Sequence, residues 1–209
     1  MNESLIIACD GEAASGKSTG AKLLSKKYNL LLLNSGLLYR YASKILITKK
    51  PKKPIPYLKK IFKKVSYNSI QKQSLHSQEI SNHVSYLAKN KAVREIMRLY
   101  QKKIIKKNKR ICVEGRDIAT KILNNNPKYD LAFYFTCKIN ISAKRRWKEL
   151  RKRVPLKEVQ RSLAKRTKMD KRRKHSPLKK VSDAILIRTD KLSRKEVLNK
   201  MSKAVNRII

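Results

Sequence analysis

Acidic side chains are scarce in this sequence: 14 Asp plus Glu stand against 54 Lys plus Arg, a formal net charge of +40 over 209 residues, with no acid between Glu12 and Glu79. Such a chain favours anionic partners, polyanions among them. The lysines are spread along the whole length and not gathered in one arm, which is also what a lysine-rich compositional bias leaves on a protein with no polyanion function. Each Asp or Glu beside a motif is therefore informative. Long apolar runs are missing as well. No stretch of about eighteen apolar residues occurs, which argues against a membrane-spanning helix. The run Leu5 to Cys9 is too short for a signal-peptide core and ends on Asp10. A soluble, intracellular, cytoplasmic chain is the expectation. Only three cysteines are present, Cys9, Cys112 and Cys137, each in an apolar segment without CxxC spacing. That excludes a disulfide framework and a structural zinc site and leaves buried, reduced thiols.

What is present, 41 % hydrophobic residues in a chain of one-domain length, suffices for a packed core. Leu5 to Cys9 is a continuous apolar run, followed by a Gly-rich turn and an amphipathic stretch from Lys17 to Tyr28. That order predicts a buried strand, a loop and a helix. Leu30 to Leu33, a break at Asn34-Ser35-Gly36 and a helical stretch from Leu37 to Ile47 predict a second such unit. Residues 48–76 carry Pro51, Pro54 and Pro56 with dense Lys, and read as an inserted, partly irregular segment. Ser77 resembles a helix start, and the apolar spacing from Ile80 to Ile104 fits one or two helices, with Asn90 as a break. Ile111 to Val113, Leu131 to Phe135 and Ala184 to Ile187 predict three more buried strands, each followed by a polar turn and a helical stretch. Alternating units of this kind imply an α/β fold with a five-stranded parallel sheet flanked by helices.

Gly11-Glu12-Ala13-Ala14-Ser15-Gly16-Lys17-Ser18, followed by Thr19, has the spacing G-x-x-x-x-G-K-S between a predicted strand and a predicted helix, the context that marks a phosphate-binding P-loop. Glycines let backbone N–H groups curl around phosphates, the helix N-terminus adds partial positive charge, Lys17 adds a full one, and the Ser18 hydroxyl can ligate Mg²⁺. Residues 11–19 are thus the candidate ATP site. Lys17 is expected to be a surface charge on the triphosphate whose removal leaves the fold intact, and Glu12 to point outward, away from the phosphates. A GTPase should carry N-K-x-D, but Asn90-Lys91 and Asn199-Lys200 both lack the Asp. The second acidic strand-end pair of motor ATPases is missing too. A nucleotide or metabolite kinase remains.

Further blocks carry a resemblance: DGEAASGKST at 10–19, NSGLLYR at 34–40, SQEISNHVS at 77–85, AVRE at 92–95, VEGRDIAT at 113–120, KRTKMDKRRKHSPL at 165–178 and SDAILIRT at 182–189. In this order and spacing the chain resembles the bacterial cytidylate kinases, P-loop nucleoside monophosphate kinases with an inserted monophosphate-binding subdomain and a helical lid. The resemblance implies that Ser35, Tyr39 and Arg40 begin the acceptor pocket, with Arg40 on the acceptor phosphate, a dianion that suits a guanidinium fork. It places Ser85 and Arg94 on the cytosine edge. Arg116 falls on a phosphate with Asp117 nearby, where Asp117 could orient Arg116, act on Mg²⁺ through water, or position the attacking oxygen. Within the basic run holding Arg161, Arg166, Arg172 and Arg173, the resemblance assigns Arg166 and Arg173 to substrate and Asp170 to a ribose hydroxyl. Mobile arginines of this kind supply charge to a loose transition state. Read without the resemblance, the same residues are solvated helix charges.

The implied catalytic set is Lys17, Arg116, Asp117, Arg166 and Arg173, acting on ATP with Mg²⁺ and on CMP or dCMP in a monomer. The expected layout is a single kinase domain 1–209: core 1–47, 109–154 and 179–209, acceptor insert 48–108, lid 155–178. Glu12 stands for a usual Pro, Asn34 for a usual Asp and Ala119 for a usual Gly, and the 48–76 segment is shorter and more basic than the family's. Two alternatives stay open: a P-loop kinase for another small acceptor, and a basic RNA-associated protein on a kinase scaffold.

Overall fold

The computed structural model describes residues 4–209, with Gln78 described by its backbone alone. Five strands form one sheet: β1 (Leu5–Gly11), β2 (Leu31–Asn34), β3 (Arg110–Glu114), β4 (Leu131–Thr136) and β5 (Ile185–Arg188). All seven residues of β1 are buried, as its unbroken apolar run predicts for a strand covered on both faces. The sheet order is β2-β3-β1-β4-β5. Strand β1 lies parallel to β3, pairing Cys9 with Glu114, and parallel to β4, which in turn runs parallel to β5. The chain leaves β1 toward one edge and β3 toward the other, so the carboxyl ends of these two neighbours form the switch point where open α/β sheets bind ligands.

The helices are α1 (Lys17–Lys27), α2 (Ser35–Lys49), α3 (Pro54–Lys64), α4 (Tyr67–Gln71), α5 (Gln78–Leu87), α6 (Lys91–Lys106), α7 (Ile139–Glu149), α8 (Leu156–Arg172) and α9 (Arg194–Val205). Contacts divide the chain into two units, one running up to Leu33 and resuming at Asn108, the other Asn34–Lys107. Helix α2 therefore belongs with the second unit, whereas the sequence layout puts it in the core. In the first unit, Leu5, Ile7 and Cys9 pack with Leu24, Phe133, Phe135, Ile187 and Met201. A smaller cluster joins Ala13 of the P-loop to Ala143 of α7 and to Val159 and Leu163 of α8.

The second unit is helical, which corrects the irregular reading of 48–76. Pro54 opens α3 at its first turn, where the missing N–H costs nothing. Leu58 and Phe62 are buried while Lys59, Lys60, Lys63 and Lys64 are exposed. The Phe62 ring meets Tyr41 and Tyr100 edge-on at 5.9 and 5.1 Å. Side chains at Asn34, Ser66, Ser77 and Asn90 cap α2, α4, α5 and α6, so Ser77 and Asn90 begin helices as their sequence positions suggest. Asn34 accepts from Leu37 N at 3.2 Å, a role Asn fills as well as Asp. After β3 no long helix follows, only one wide turn, Ile118–Ile122, closed by Leu123 N on the Ile118 carbonyl. Cys9 and Cys112 are buried free thiols with Sγ atoms 3.7 Å apart, and Cys137 is only half-buried.

Candidate active site

The P-loop leaves β1 through Gly11, where a Cβ would overlap the Phe135 carbonyl oxygen. It reaches α1 at Gly16, whose φ of 80° is left-handed, a conformation Gly adopts without penalty. Ala14, at φ 54°, holds a left-handed conformation without that freedom. Thr189, following β5, packs over Gly16 and donates its hydroxyl to the Ser15 carbonyl at 3.0 Å. Arg145 of α7 fixes Thr189 through both its hydroxyl and its carbonyl, at 3.1 and 2.7 Å. Helix α1 has no side-chain cap at its N-terminus, so its first N–H groups and its dipole are left for an anion.

Lys17 is not simply a surface charge. Its Nζ lies 2.8 Å from Glu114 Oε2 at the end of β3, and the two side chains are 11 % and 1 % exposed. Glu114 is absent from the sequence-derived candidates. Among the described residues its other oxygen, Oε1, is buried without a hydrogen-bond partner. Glu12 turns toward α8, where Lys171 binds it at 2.6 Å, and this neutralises the carboxylate beside the loop. Ala13 N donates to Thr167 Oγ1 of α8 at 3.4 Å. A cavity of about 490 Å³ lies between Glu12-Ala13, the start of α7 around Ile139 and Ser142, and the Lys168, Lys171 and Arg172 stretch of α8.

The turn after β3 carries Arg116 and Asp117. Arg116 donates to the Gly11 carbonyl and its Nε lies 3.0 Å from Asp170 Oδ2 of α8. Arg173, just past α8, reaches Asp170 at 3.4 Å and Asp117 at 3.7 Å and donates to the Ser176 carbonyl. Two arginines and two aspartates thus form one network in which Asp170 holds Arg116 and Asp117 faces Arg173. Arg166 lies partly buried on α8, and Arg161 and Arg172 are exposed. Beneath the turn Asp10, 2 % exposed, accepts from Ile118 N and Ala119 N at 2.9 and 2.8 Å. Burial, with Asp117 nearby, pushes the Asp10 carboxyl up to about 6, against the pull of these two hydrogen bonds and of Lys17.

The remaining candidates lie in the second unit. Ser35 is buried at the first turn of α2. Arg40 donates to the Leu75 carbonyl and to Ser81 Oγ, both at 3.0 Å. Arg94 of α6 is 8 % exposed, donates to the Ala88 carbonyl at 3.2 Å and sits 5.8 Å from the Tyr39 ring centroid, within cation–π range. Ser85 lies half-buried on α5, which packs on α2. Tyr39, Arg40 and Arg94 are thus gathered by α2, α5 and α6.

The profile of the cytidylate kinase family matches residues 7–207. The chain belongs to the cytidylate kinase family. A cytidylate kinase of Rickettsia akari is 34 % identical, with 94 % of this chain and 89 % of that one covered. That of Aquifex aeolicus is 31 % identical over 96 % and 95 %. A bifunctional pantoate ligase/cytidylate kinase of Prochlorococcus marinus is 37 % identical over 99 % of this chain, which spans only 44 % of its length. Among solved structures, an uncharacterised protein of Eubacterium ventriosum superposes with a TM-score of 0.59 at 19 % identity, covering 98 % and 99 %. A shikimate kinase of Acinetobacter baumannii gives 0.51 at 11 %, covering 100 % and 97 %. Both likenesses concern the fold, which is that of a P-loop kinase with a five-stranded parallel sheet. Among the described residues, no helix is long and apolar enough to cross a membrane.

Proposed function

We propose that the protein transfers the γ-phosphoryl group of ATP to CMP, and to dCMP, giving ADP and the nucleoside diphosphate. A CMP phosphate oxygen bonds to the γ-phosphorus, and the bond from that phosphorus to the β,γ-bridging oxygen breaks. The observation that carries this reading is Arg116, which bonds both the first P-loop residue and Asp170. Donor loop, post-β3 turn and α8 meet at one guanidinium. Phosphoryl transfer needs positioning and positive charge more than proton abstraction, because the acceptor phosphate is already an anionic nucleophile.

Each residue then has a physical task. The α1 N-terminus and Lys17 hold the triphosphate, with Lys17 exchanging Glu114 for phosphate oxygens. Arg116 and Arg173 exchange Asp170 and Asp117 for phosphates as charge spreads over the transferring group, and Arg166 joins them. Asp117 positions, and Asp170, once released, can accept from a ribose hydroxyl. In the second unit Arg40 takes the acceptor phosphate, a dianion that suits its guanidinium fork. Ser35, Tyr39, Ser85 and Arg94 bind the nucleoside, with Ser85 and Arg94 on the cytosine edge.

Among the described residues no group of three or more His, Cys, Asp or Glu is arranged to hold a metal. Mg²⁺ is held chiefly by water and substrate phosphates. Ser18 beside Lys17 would be its protein ligand, and the unpartnered Glu114 Oε1 can accept from a water of its shell. When bound, Mg²⁺ would supply charge that neutralises the triphosphate.

Purified protein assayed with ATP against CMP, dCMP, UMP, AMP and shikimate tests the reading. Turnover of the two cytidine nucleotides well above the others is expected. Absence of cytidine turnover, or equal use of another acceptor, overturns it. An RNA-binding remnant of a kinase is not favoured, since Lys17 and Arg116 both stand in built surroundings.

A further inference from the structure

Asp10 is buried beneath the site and has no task in the transfer described above. It is the penultimate residue of β1, directly before the P-loop. Its two oxygens are spent on one neighbour: Oδ1 accepts from Ile118 N and Oδ2 from Ala119 N. These are the two residues after Arg116-Asp117. A single side chain therefore ties the strand that launches the P-loop to the turn that presents Arg116. The sheet has no need of this link, because β1 and β3 are already paired from Leu5–Arg110 to Cys9–Glu114. The link begins where that pairing stops.

We propose that Asp10 is the positioning residue that sets the Arg116-Asp117 turn against the P-loop, and that only its carboxylate form can do so. An ionised carboxylate offers an acceptor to each of the two N–H groups. A protonated carboxyl turns a hydroxyl donor toward one of them, leaving two donors facing each other in a buried space. The titratable groups facing Asp10 are Lys17 from α1, Asp117 from the turn, and the neutral phenols of Tyr134 from β4 and Tyr129 from the loop before it. Only Lys17 favours the ionised state. When nucleotide draws Lys17 away, Asp10 loses that support, so the backbone N–H pair must hold the charge.

The proposal rests on the kinase reading for its kinetic arm and on the fold alone for its spectroscopic arm. In nucleotide-free, ¹⁵N-labelled full-length protein, the Ile118 and Ala119 amide resonances should titrate together with a midpoint near 6. Amides that do not move in that window overturn it. Asp10→Asn fixes the protonated pattern permanently, with an amide donor where the hydroxyl would be. In mildly alkaline buffer it should lower kcat on CMP by on the order of 10²-fold, the cost of a misplaced catalytic group, while binding of a fluorescent ATP analogue is unchanged. The wild-type advantage should then shrink as pH falls through about 6. The acceptor phosphate titrates in the same range in both proteins and cancels in the ratio. A ratio that stays constant across that range means a merely structural Asp10 and overturns the proposal. If the wild type turns over no CMP, the kinase reading fails and the amide titration still decides the positioning role. The same titration decides it if Asp10→Asn does not fold.

Discussion

Lys17 and Glu114 form a pair whose energetics depend on burial more than on attraction. Two charges at 2.8 Å with so little exposure have lost most of their hydration, and the gain from pairing is largely offset by that loss. Removing one partner is a different matter, because it strands the other. Lys17→Ala is accordingly expected to destabilise the protein by about 3–5 kcal/mol as well as to lower kcat by at least about 10²-fold. Adding Glu114→Gln should recover much of the stability and none of the turnover. Urea denaturation of both variants checks this: equal stability of Lys17→Ala and wild type would mean the pair is not formed in solution. Ala14 offers a test in the other direction. A left-handed Ala costs about 1–2 kcal/mol, and Gly returns about 0.5–1 kcal/mol of that through unfolded-state entropy. Ala14→Gly should thus stabilise by up to about 1 kcal/mol, read from the same denaturation curves. A fall in stability would mean that the loop relaxes Ala14 into an ordinary conformation.

Among the elements, α8 carries the charges that change partners under the proposed function. Thr167, Asp170 and Lys171 engage Ala13, Arg116 and Glu12, and Arg173 beyond it faces Asp117. Arg166→Ala and Arg173→Ala are expected to lower kcat more than they weaken ATP binding, since under the proposed function these arginines act on charge that develops during transfer. Equal losses in both would make them ground-state contacts. Lys171 is 48 % exposed in its pair with Glu12, so Glu12→Gln should change the KM for ATP by less than about fivefold, the equivalent of about 1 kcal/mol for an exposed pair. The strands that order these elements were legible because each is a short apolar run bounded by turn residues. Glu114 and Asp10 were not, because their roles depend on strand order: β3 is third along the chain but lies beside β1, and no local pattern reveals that. The 48–76 segment misled for a local reason. Pro54 and Pro56 suggest a break, yet a proline in the first turn is a helix start, and the Leu58 and Phe62 spacing behind it was the better signal. The strand–turn–helix context of the P-loop was legible, since its spacing is itself the structure; the buried partner of Lys17 was not.

For the whole molecule the open quantity is +40. The second unit, 34–107, holds nineteen Lys and Arg against Glu79 and Glu95, and Glu95 is already paired with Arg98 at 2.5 Å. Uncompensated like charge repels itself and favours expansion, and salt screens it over about 8 Å at physiological strength. Raising salt from low to physiological should therefore stabilise the protein. Binding to RNA should move the opposite way, because counterion release drives it and added salt removes that drive. The exposed lysines Lys49, Lys50, Lys52 and Lys53 at the α2–α3 junction separate a compositional origin of the charge from a dedicated one. If the charge is compositional, affinity for a structured RNA is micromolar or weaker at physiological salt, and replacing these four by Gln changes kinase turnover little. If it is dedicated, affinity survives physiological salt and falls sharply in that variant. The spread of lysine over both units favours the first. A Kd at or below about 10 nM, the range of specific nucleic-acid complexes, would reverse that preference and make the second unit a nucleic-acid surface in addition to the acceptor pocket proposed for it.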